Sequence, residues 1–511
     1  MPPLGPFGFI GGWNTKESSW TLPSNSLTDS QNVNIVHNDL VKRNGSVILN
    51  ASPLASGAAI HGIFDWRINS GTRYLLVTAG TKIYNSANLS TTFNDITGSA
   101  TITAGQNNQH TFASLNNIVA ICGGATPDTP LQWTGTGNVS ALAGSPPVGN
   151  IVAVANNFMF ISGIAATPSR VYWSNVSDPN TWPAASFIEF RASDGDKVTA
   201  LLEKDQNIYI FKQQSIGVLF TQSVSVSGTV TLAPLSQLIV GNGCSGRHCV
   251  DLLPDGRIVF LGTNNHVYIY DGASVNDVSD PRTGSNIQTV LDSMNISRLP
   301  FSVVRVYPTR NQVWISMSSA SATTHDTVLV YDYQVNIWVS KFININANIL
   351  EPVIDTRTTP DHSILMVTGD YAGEVFEQDI GTTDASVSGG TIDGYGTISV
   401  LLNPDQKQVF PRSAIIPLES ETLGQLTFSY GYNGLTDVSY STSLTQAQGG
   451  ADLDSEFTLD VSRLAGSTTL RDQTLLVNAG SVFSIQMQFR NDQASQSFRV
   501  HPVYLSEEIM V

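Results

Sequence analysis

Arg257-Ile258-Val259-Phe260-Leu261, a Gly-Thr-Asn-Asn turn, then His266-Val267-Tyr268-Ile269-Tyr270-Asp271-Gly272 is the stretch that decides the fold. An apolar run of strand length meets a tight polar turn and returns as a second apolar run ending in an aromatic residue, the signature of an antiparallel hairpin. The unit recurs. Asn207-Ile208-Tyr209-Ile210-Phe211 is answered by Ile216-Gly217-Val218-Leu219-Phe220, and Gln312-Val313-Trp314-Ile315 by Val328-Leu329-Val330-Tyr331-Asp332. Related hairpins lie at 74–84, 118–133, 158–173 and 364–376. Their spacing of about 40–50 residues is the period of propeller blades. A blade buries its two faces only against neighbouring blades, so repetition closed into a ring satisfies it. The expectation is an all-β chain with a β-propeller of about seven blades; unrelated hairpins spread over sandwiches are the alternative.

The repeat stops near Asp379, and 381–390 is rich in Gly, Ser and Thr. Beyond it the strands alternate cleanly. Phe428, Tyr430 and Tyr432 share one face, as do Phe483, Ile485, Met487 and Phe489, with Gln486 and Gln488 opposite. Such alternation marks half-buried antiparallel strands and a C-terminal β-sandwich. The expected division is 1–50 as a segment whose strands close the propeller or join the platform, 51–380 as the propeller, 381–390 as a linker and 391–511 as the sandwich. Residues 32–37 and 39–42 read as two short strands expected to pair outside their own hairpin. Helical periodicity is scarce, and its best candidate is 286–294, with Ile287, Val290 and Leu291 on one face.

Charged residues make up only 13% of the 511, and Lys plus Arg number 25 against 41 Asp plus Glu, for a net charge of −16. A low-charge surface suits assembly. The acidity argues against tight nucleic-acid binding, which needs cations to replace the counterions of phosphates. Three cysteines, Cys122, Cys244 and Cys249, are too few for a disulfide framework in a chain of this size. No run resembles a signal peptide or a membrane span, so synthesis in a reducing cytoplasm is expected.

Candidate chemistry is sparse. Gly243-Cys244-Ser245-Gly246-Arg247-His248-Cys249 gathers two thiols and an imidazole, but a zinc site normally takes four ligands in separated pairs. A turn leading to a buried strand cysteine is the expected reading. Ser177-Asp178-Pro179-Asn180-Thr181-Trp182 is similar to a sialidase Asp-box, itself a packing device. Asp194, Asp196, Asp255 and Asp271 sit beside glycines, the composition of tight turns. A glycosidase pair assembled in space is the sharper alternative for them. Asp452-x-Asp454-x-Glu456 opens like a calcium loop without its glycine or distal glutamate. Hydrolase elbows, phosphate-binding loops and His-Glu-x-x-His zinc motifs do not occur. No catalytic, cofactor-binding or metal residues are therefore assigned, and no enzyme activity or cofactor is expected.

Several motifs, in order, carry a resemblance. Gly11-Gly12-Trp13-Asn14-Thr15-Lys16, Leu22-Pro23, Asp29-Ser30-Gln31-Asn32-Val33 and Leu40-Val41-Lys42-Arg43-Asn44-Gly45 open the chain. Arg170-Val171-Tyr172-Trp173-Ser174 with the Asp178-Pro179-Asn180-Thr181-Trp182 hairpin and Asp194-Gly195-Asp196 follow. The Gly243-to-Gly272 blade and Tyr331-Asp332-Tyr333 with Ile337-Trp338 complete the set. From Gly11 to about Asp379 the chain resembles the tail-nozzle, or packaged-DNA stabilisation, proteins of short-tailed bacteriophages. The resemblance implies a virion tail protein forming a homo-oligomeric ring, usually a hexamer, that retains DNA and guides its ejection. It implies contacts with portal and adaptor proteins and with tail fibres or spikes, and DNA passing without sequence-specific binding. A glycan-binding tail adhesin and a propeller glycoside hydrolase are the alternatives.

Overall fold

The computed structural model describes residues 4–18, 21–192, 194–221, 224–226, 229–231, 236–282, 284–357, 363–385, 390–402, 411–419, 424–432, 440–446, 470–477 and 484–507. The calcium-loop-like run at Asp452 and the side chain of Phe483 lie outside them.

Seven four-stranded antiparallel blades form a closed β-propeller. Their innermost strands are Ile60–Arg67, His110–Leu115, Ile151–Ala155, Val198–Lys204, Val250–Leu252, Val303–Tyr307 and Ile349–Ile354, for blades 1 to 7. Each packs on the next, and the seventh packs back on the first. The repeated hairpins of the sequence are the second and third strands of the blades, as in Ile258–Leu261 with Val267–Tyr270. These strands are the most apolar because both of their faces meet neighbouring blades, so Ile258, Val259, Phe260 and Leu261 are all fully buried.

Ring closure uses the N-terminal part of the chain. Blade 7 takes three strands from 349–378, and Ser46–Ile48 adds its outermost strand, pairing Glu377 with Val47. Blade 6 ends in Ile337–Ile343, whose edge is met in parallel by Ser26–Gln31. Ser26–Gln31 then pairs antiparallel with Gly394–Leu401. One ten-stranded sheet thereby runs from the sixth blade into the sandwich. The facing seven-stranded sheet combines Leu4–Phe7, Val33–Val36 and Asp39–Lys42 with C-terminal strands including Pro411–Glu419 and Val503–Glu507. The hairpin Val33–Val36/Asp39–Lys42 pairs onward with Arg499–Val500.

The sandwich is therefore not made by 391–511 alone. Its core interleaves Phe9, Leu27, Val33 and Leu40 with Ile398, Ile416, Phe428, Met487 and Val503, and is continuous with the cores of blades 5 and 6. Without the N-terminal strands the C-terminal sheets would leave these apolar faces in water, at roughly 1.5–3 kcal/mol for each large side chain.

The Lys-Arg-Asn-Gly turn sits where the parts meet. Arg43 spends its guanidinium on Asp384 (NH1 to Oδ1 2.8 Å, NH2 to Oδ2 2.6 Å), on Asn32 Oδ1 and on the carbonyls of Asn44 and Ile343. Lys42 Nζ donates to Asn491 Oδ1 and to the Gln493 carbonyl in the sandwich, and burial lowers its pKa to about 8. A Cβ at Gly45 would overlap the Thr383 carbonyl, so only glycine lets the chain pass there into the closing strand. The other opening motif lies in the same seam. Gly12 holds φ +70° with Ile337 and Trp338 against its Cα, and Asn14 Nδ2 donates to the Gly284 carbonyl at 2.8 Å.

Gln288–Asp292 is the one α-helix among the described residues, inside the expected 286–294 window. No helix among them is long and apolar enough to cross a membrane.

Candidate functional site

The most unusual polar chemistry gathers where the inner strands begin, at one mouth of the propeller axis. The Gly-Cys-Ser-Gly-Arg-His-Cys stretch enters blade 5 there, and its glycines allow close packing. A Cβ at Gly246 would overlap Pro300 backbone, and one at Gly243 would overlap that of Lys212. The loop drives Arg247 and His248 across the axis. Arg247 NH1 donates to the Gln109 carbonyl at 2.6 Å and the Asn150 carbonyl at 3.4 Å, and NH2 to the Gly124 carbonyl at 3.2 Å. His248 Nε2 reaches the His110 carbonyl at 2.9 Å. Gln109 Nε2 in turn donates to the Phe301 carbonyl at 2.7 Å, ahead of blade 6. Blade 2 is thus bonded directly to blades 5 and 6, three positions away round a ring of seven. The axis is plugged.

Below the plug the channel holds charge. Arg305 donates to His248 Nδ1 at 2.9 Å and to Glu351 Oε2 at 3.2 Å. Arginine has no acceptor, so Nδ1 of His248 is unprotonated and its proton sits on Nε2, facing the His110 carbonyl. Asp251 Oδ2 accepts from Val306 N and Asp65 Oδ2 from Ile354 N, each tying its inner strand to that of the preceding or following blade. Burial pushes Glu351 up to about 7 despite Arg305, and raises Asp251 as well.

A histidine pair lies between blades 1 and 2. His61 Nδ1 and His110 Nδ1 are 2.8 Å apart, and His61 Nε2 faces the Gly80 carbonyl at 2.9 Å. The carbonyl requires the His61 proton on Nε2, so His110 donates from Nδ1 and leaves its Nε2 without a hydrogen-bond partner among the described residues, 4.0 Å from Asp128 Oδ2. Burial depresses all the histidines here: His61 to about 4, His110 and His248 well below the usual value.

Over the plug is a crevice of about 360 Å³ whose floor includes Arg247 and whose rim carries Lys197. Ile151, Ile164, Val198 and Phe301 supply apolar wall. Its lining includes no Asp or Glu. Burial lowers Arg247 to about 10, and among the described residues no carboxylate pairs with its guanidinium.

The residues marked out in the sequence are placed as follows. Cys244, His248 and Cys249 do not share a vacant focus: both His248 nitrogens have protein partners, Cys244 Sγ points to the Gly246 carbonyl and Cys249 Sγ to the Ser302 carbonyl. All three cysteines are free and buried, and burial raises the Cys122 thiol to about 12. Asp178 caps its own hairpin through Asn180 N at 3.0 Å. Asp194 pairs with the buried ammonium of Lys212 at 2.6 Å, while Asp196 accepts from the backbone of Gln213 and Gln214. Asp255 pairs with Arg257, and Asp271 is held at about 2 by the Ser274 and Ala273 N–H groups. Asp178, Asp255 and Asp271 serve their own turns, while Asp194 and Asp196 fasten theirs to the 212–214 turn.

No protein-family model matches the chain, and no curated protein does. Among solved structures, YCF48 from Cyanidioschyzon merolae is 11% identical, with 64% of this chain and 97% of that one covered, at a TM-score of 0.38. BamB from Moraxella catarrhalis is 10% identical, with 68% and 96% covered, at 0.37. Likenesses this distant carry no functional argument, and the propeller is evident from the strand ladders themselves.

Proposed function

We propose that the chain is a structural subunit of a phage tail nozzle, a homo-oligomeric ring that retains DNA and guides its release, and that it works without catalysis. One observation supports this most: the opening motifs that carry the resemblance, between Gly11 and Gly45, lie at the seam between propeller and sandwich. Gly12, Asn14 and Arg43 reach the propeller at Trp338, Gly284 and Ile343, while Asn32 and Lys42 bond Asp393 and Asn491 on the sandwich side, through links spanning up to 449 residues of sequence. A pair of bodies fixed in this way can transmit position round a ring. Because the propeller axis is plugged by Arg247 and His248, the passage on this reading runs between copies and not through any one propeller.

The size of the assembled protein tests the reading. Purified chain, alone and mixed with the portal and adaptor proteins of its own particle, is expected to give a closed ring of about six copies by native mass measurement, in line with cyclic symmetry. A stable trimer displaying the propellers outward would favour the adhesin reading instead.

A further inference from the structure

We propose that the crevice over the propeller plug is a binding site for a small organic monocarboxylate, its carboxylate held between Arg247 and Lys197 and its body laid against Ile164, Val198 and Phe301. The inference does not depend on the assembly reading.

Charge distribution is the first argument. Acidic residues outnumber basic ones 41 to 25 in the chain, yet the lining of this crevice holds two cations and no carboxylate. The acids that flank lining residues in sequence are engaged elsewhere. Asp128 accepts from Thr103 N and Oγ1, Asp194 from Lys212, and Asp196 from the 213–214 backbone. The crevice is therefore a cationic spot on an anionic protein, where the field favours an anion that the rest of the surface repels.

The state of Arg247 is the second argument. A guanidinium taken from water normally meets a carboxylate, because carbonyl dipoles alone leave its charge uncompensated. Arg247 has carbonyl acceptors only. Lys197 is exposed and has no ion pair among the described residues. An anion entering the crevice would supply the missing charge to both.

Shape and chemistry narrow the ligand. A volume of about 360 Å³ lies at the lower end of the range for small-molecule sites. Two of the guanidinium nitrogens already donate to carbonyls, which leaves Arg247 few N–H donors for the several oxygens of a phosphate and suits a carboxylate better. Apolar wall on several sides asks for a body with an apolar face, such as a pyranose ring or an aromatic ring.

The test is calorimetric titration of the full chain with glucuronate, benzoate and acetate, with glucose and inorganic phosphate as comparisons. Saturable, salt-sensitive binding of at least one ring carboxylate is expected, tighter than acetate, with none for glucose. Lys197→Glu reverses an exposed rim charge, and Ala165→Glu adds a carboxylate at an exposed lining position, so neither disturbs the core. Each is expected to weaken binding by about tenfold or more, the loss of one charge-assisted contact. Absence of saturable binding by all three carboxylates up to about 20 mM, where affinity falls below useful magnitude, would overturn the proposal. So would binding unchanged in both variants, or phosphate binding in preference to every carboxylate.

Discussion

Deleting residues 1–45 is expected to abolish soluble folding, and Arg43→Ala alone to cost about 3–5 kcal/mol, the range for breaking a buried ion pair. The deletion removes Ser26–Gln31, which bridges blade 6 to Gly394–Leu401, and the strands Leu4–Phe7, Val33–Val36 and Asp39–Lys42 of the facing sheet. It also uncovers the side chains packed against Phe9, Trp13, Leu27 and Leu40. In Arg43→Ala the Asp384 carboxylate, only 5% exposed, is left without its cation, and Asn32 Oδ1 and the Ile343 carbonyl each lose a donor. Arg43→Lys is expected to recover little, because one ammonium cannot reproduce a fork that meets both Asp384 oxygens and the flanking acceptors together. Thermal unfolding of the three proteins checks this. A truncated chain that melts with the full-length one would reduce the segment to an appendage.

Acid is expected to destabilise the protein well before the exposed carboxylates protonate. Burial depresses His61 and His325 to about 4, and His110 and His248 well below their ordinary value. A histidine whose folded pKa lies below its unfolded value of about 6.5 binds its proton more weakly when folded. Stability is then complete above 6.5 and is lost as the pH falls from there toward the folded value. For His61 and His325 the full window is worth about 3 kcal/mol each. Glu351 works in the opposite sense: raised to about 7, it contributes stability below its unfolded value that is lost as the pH rises through 7. Four histidines outweigh it. The melting temperature is expected to peak near neutrality and to fall by roughly 10 °C between pH 7 and 5. His325→Asn and His61→Gln should each flatten that slope. A melting temperature constant over this range would show that the buried imidazoles are not the sensitive groups.

The parts of the fold legible in the sequence are those written by local pattern. Hairpins such as 258–270 and 313–331 announce themselves because both faces of their strands are buried, and the first also carries a Gly-Thr-Asn-Asn turn. The inner strands were harder to see. Asp65, Asp251, Arg305 and Glu351 interrupt their apolar runs because those strands face the channel. The destination of Ser26–Gln31 is not in its own residues: Ser-Leu-Thr-Asp-Ser-Gln is a weak strand pattern, and besides the nearby Gly12–Trp13 its partner strands lie more than 300 residues away. Alternation in 424–432 and 484–491 gave the faces of the sandwich strands, whereas the N-terminal strands that complete its sheets were legible only as strands of 1–50 expected to close the propeller or join the platform. The crevice was illegible for a related reason. Arg247 stood out only as part of a Cys-His cluster, and its partners are backbone carbonyls of Gln109, Gly124 and Asn150, which any residue provides.

Six copies at −16 each would carry about −96, and a wall of acidic and small polar groups lets a duplex slide where lysines and arginines would hold its phosphates. Such a wall costs little if the channel is wider than the duplex, because repulsion is screened over about 8 Å at physiological salt. An electron cryomicroscopy reconstruction of the assembled protein tests this most directly. The account predicts a closed ring whose central passage runs between rigid propeller–sandwich units and is lined by Asp, Glu, Ser, Thr and Asn. A passage lined mainly by Lys and Arg, or an assembly with no through-channel wide enough for duplex DNA, would contradict it.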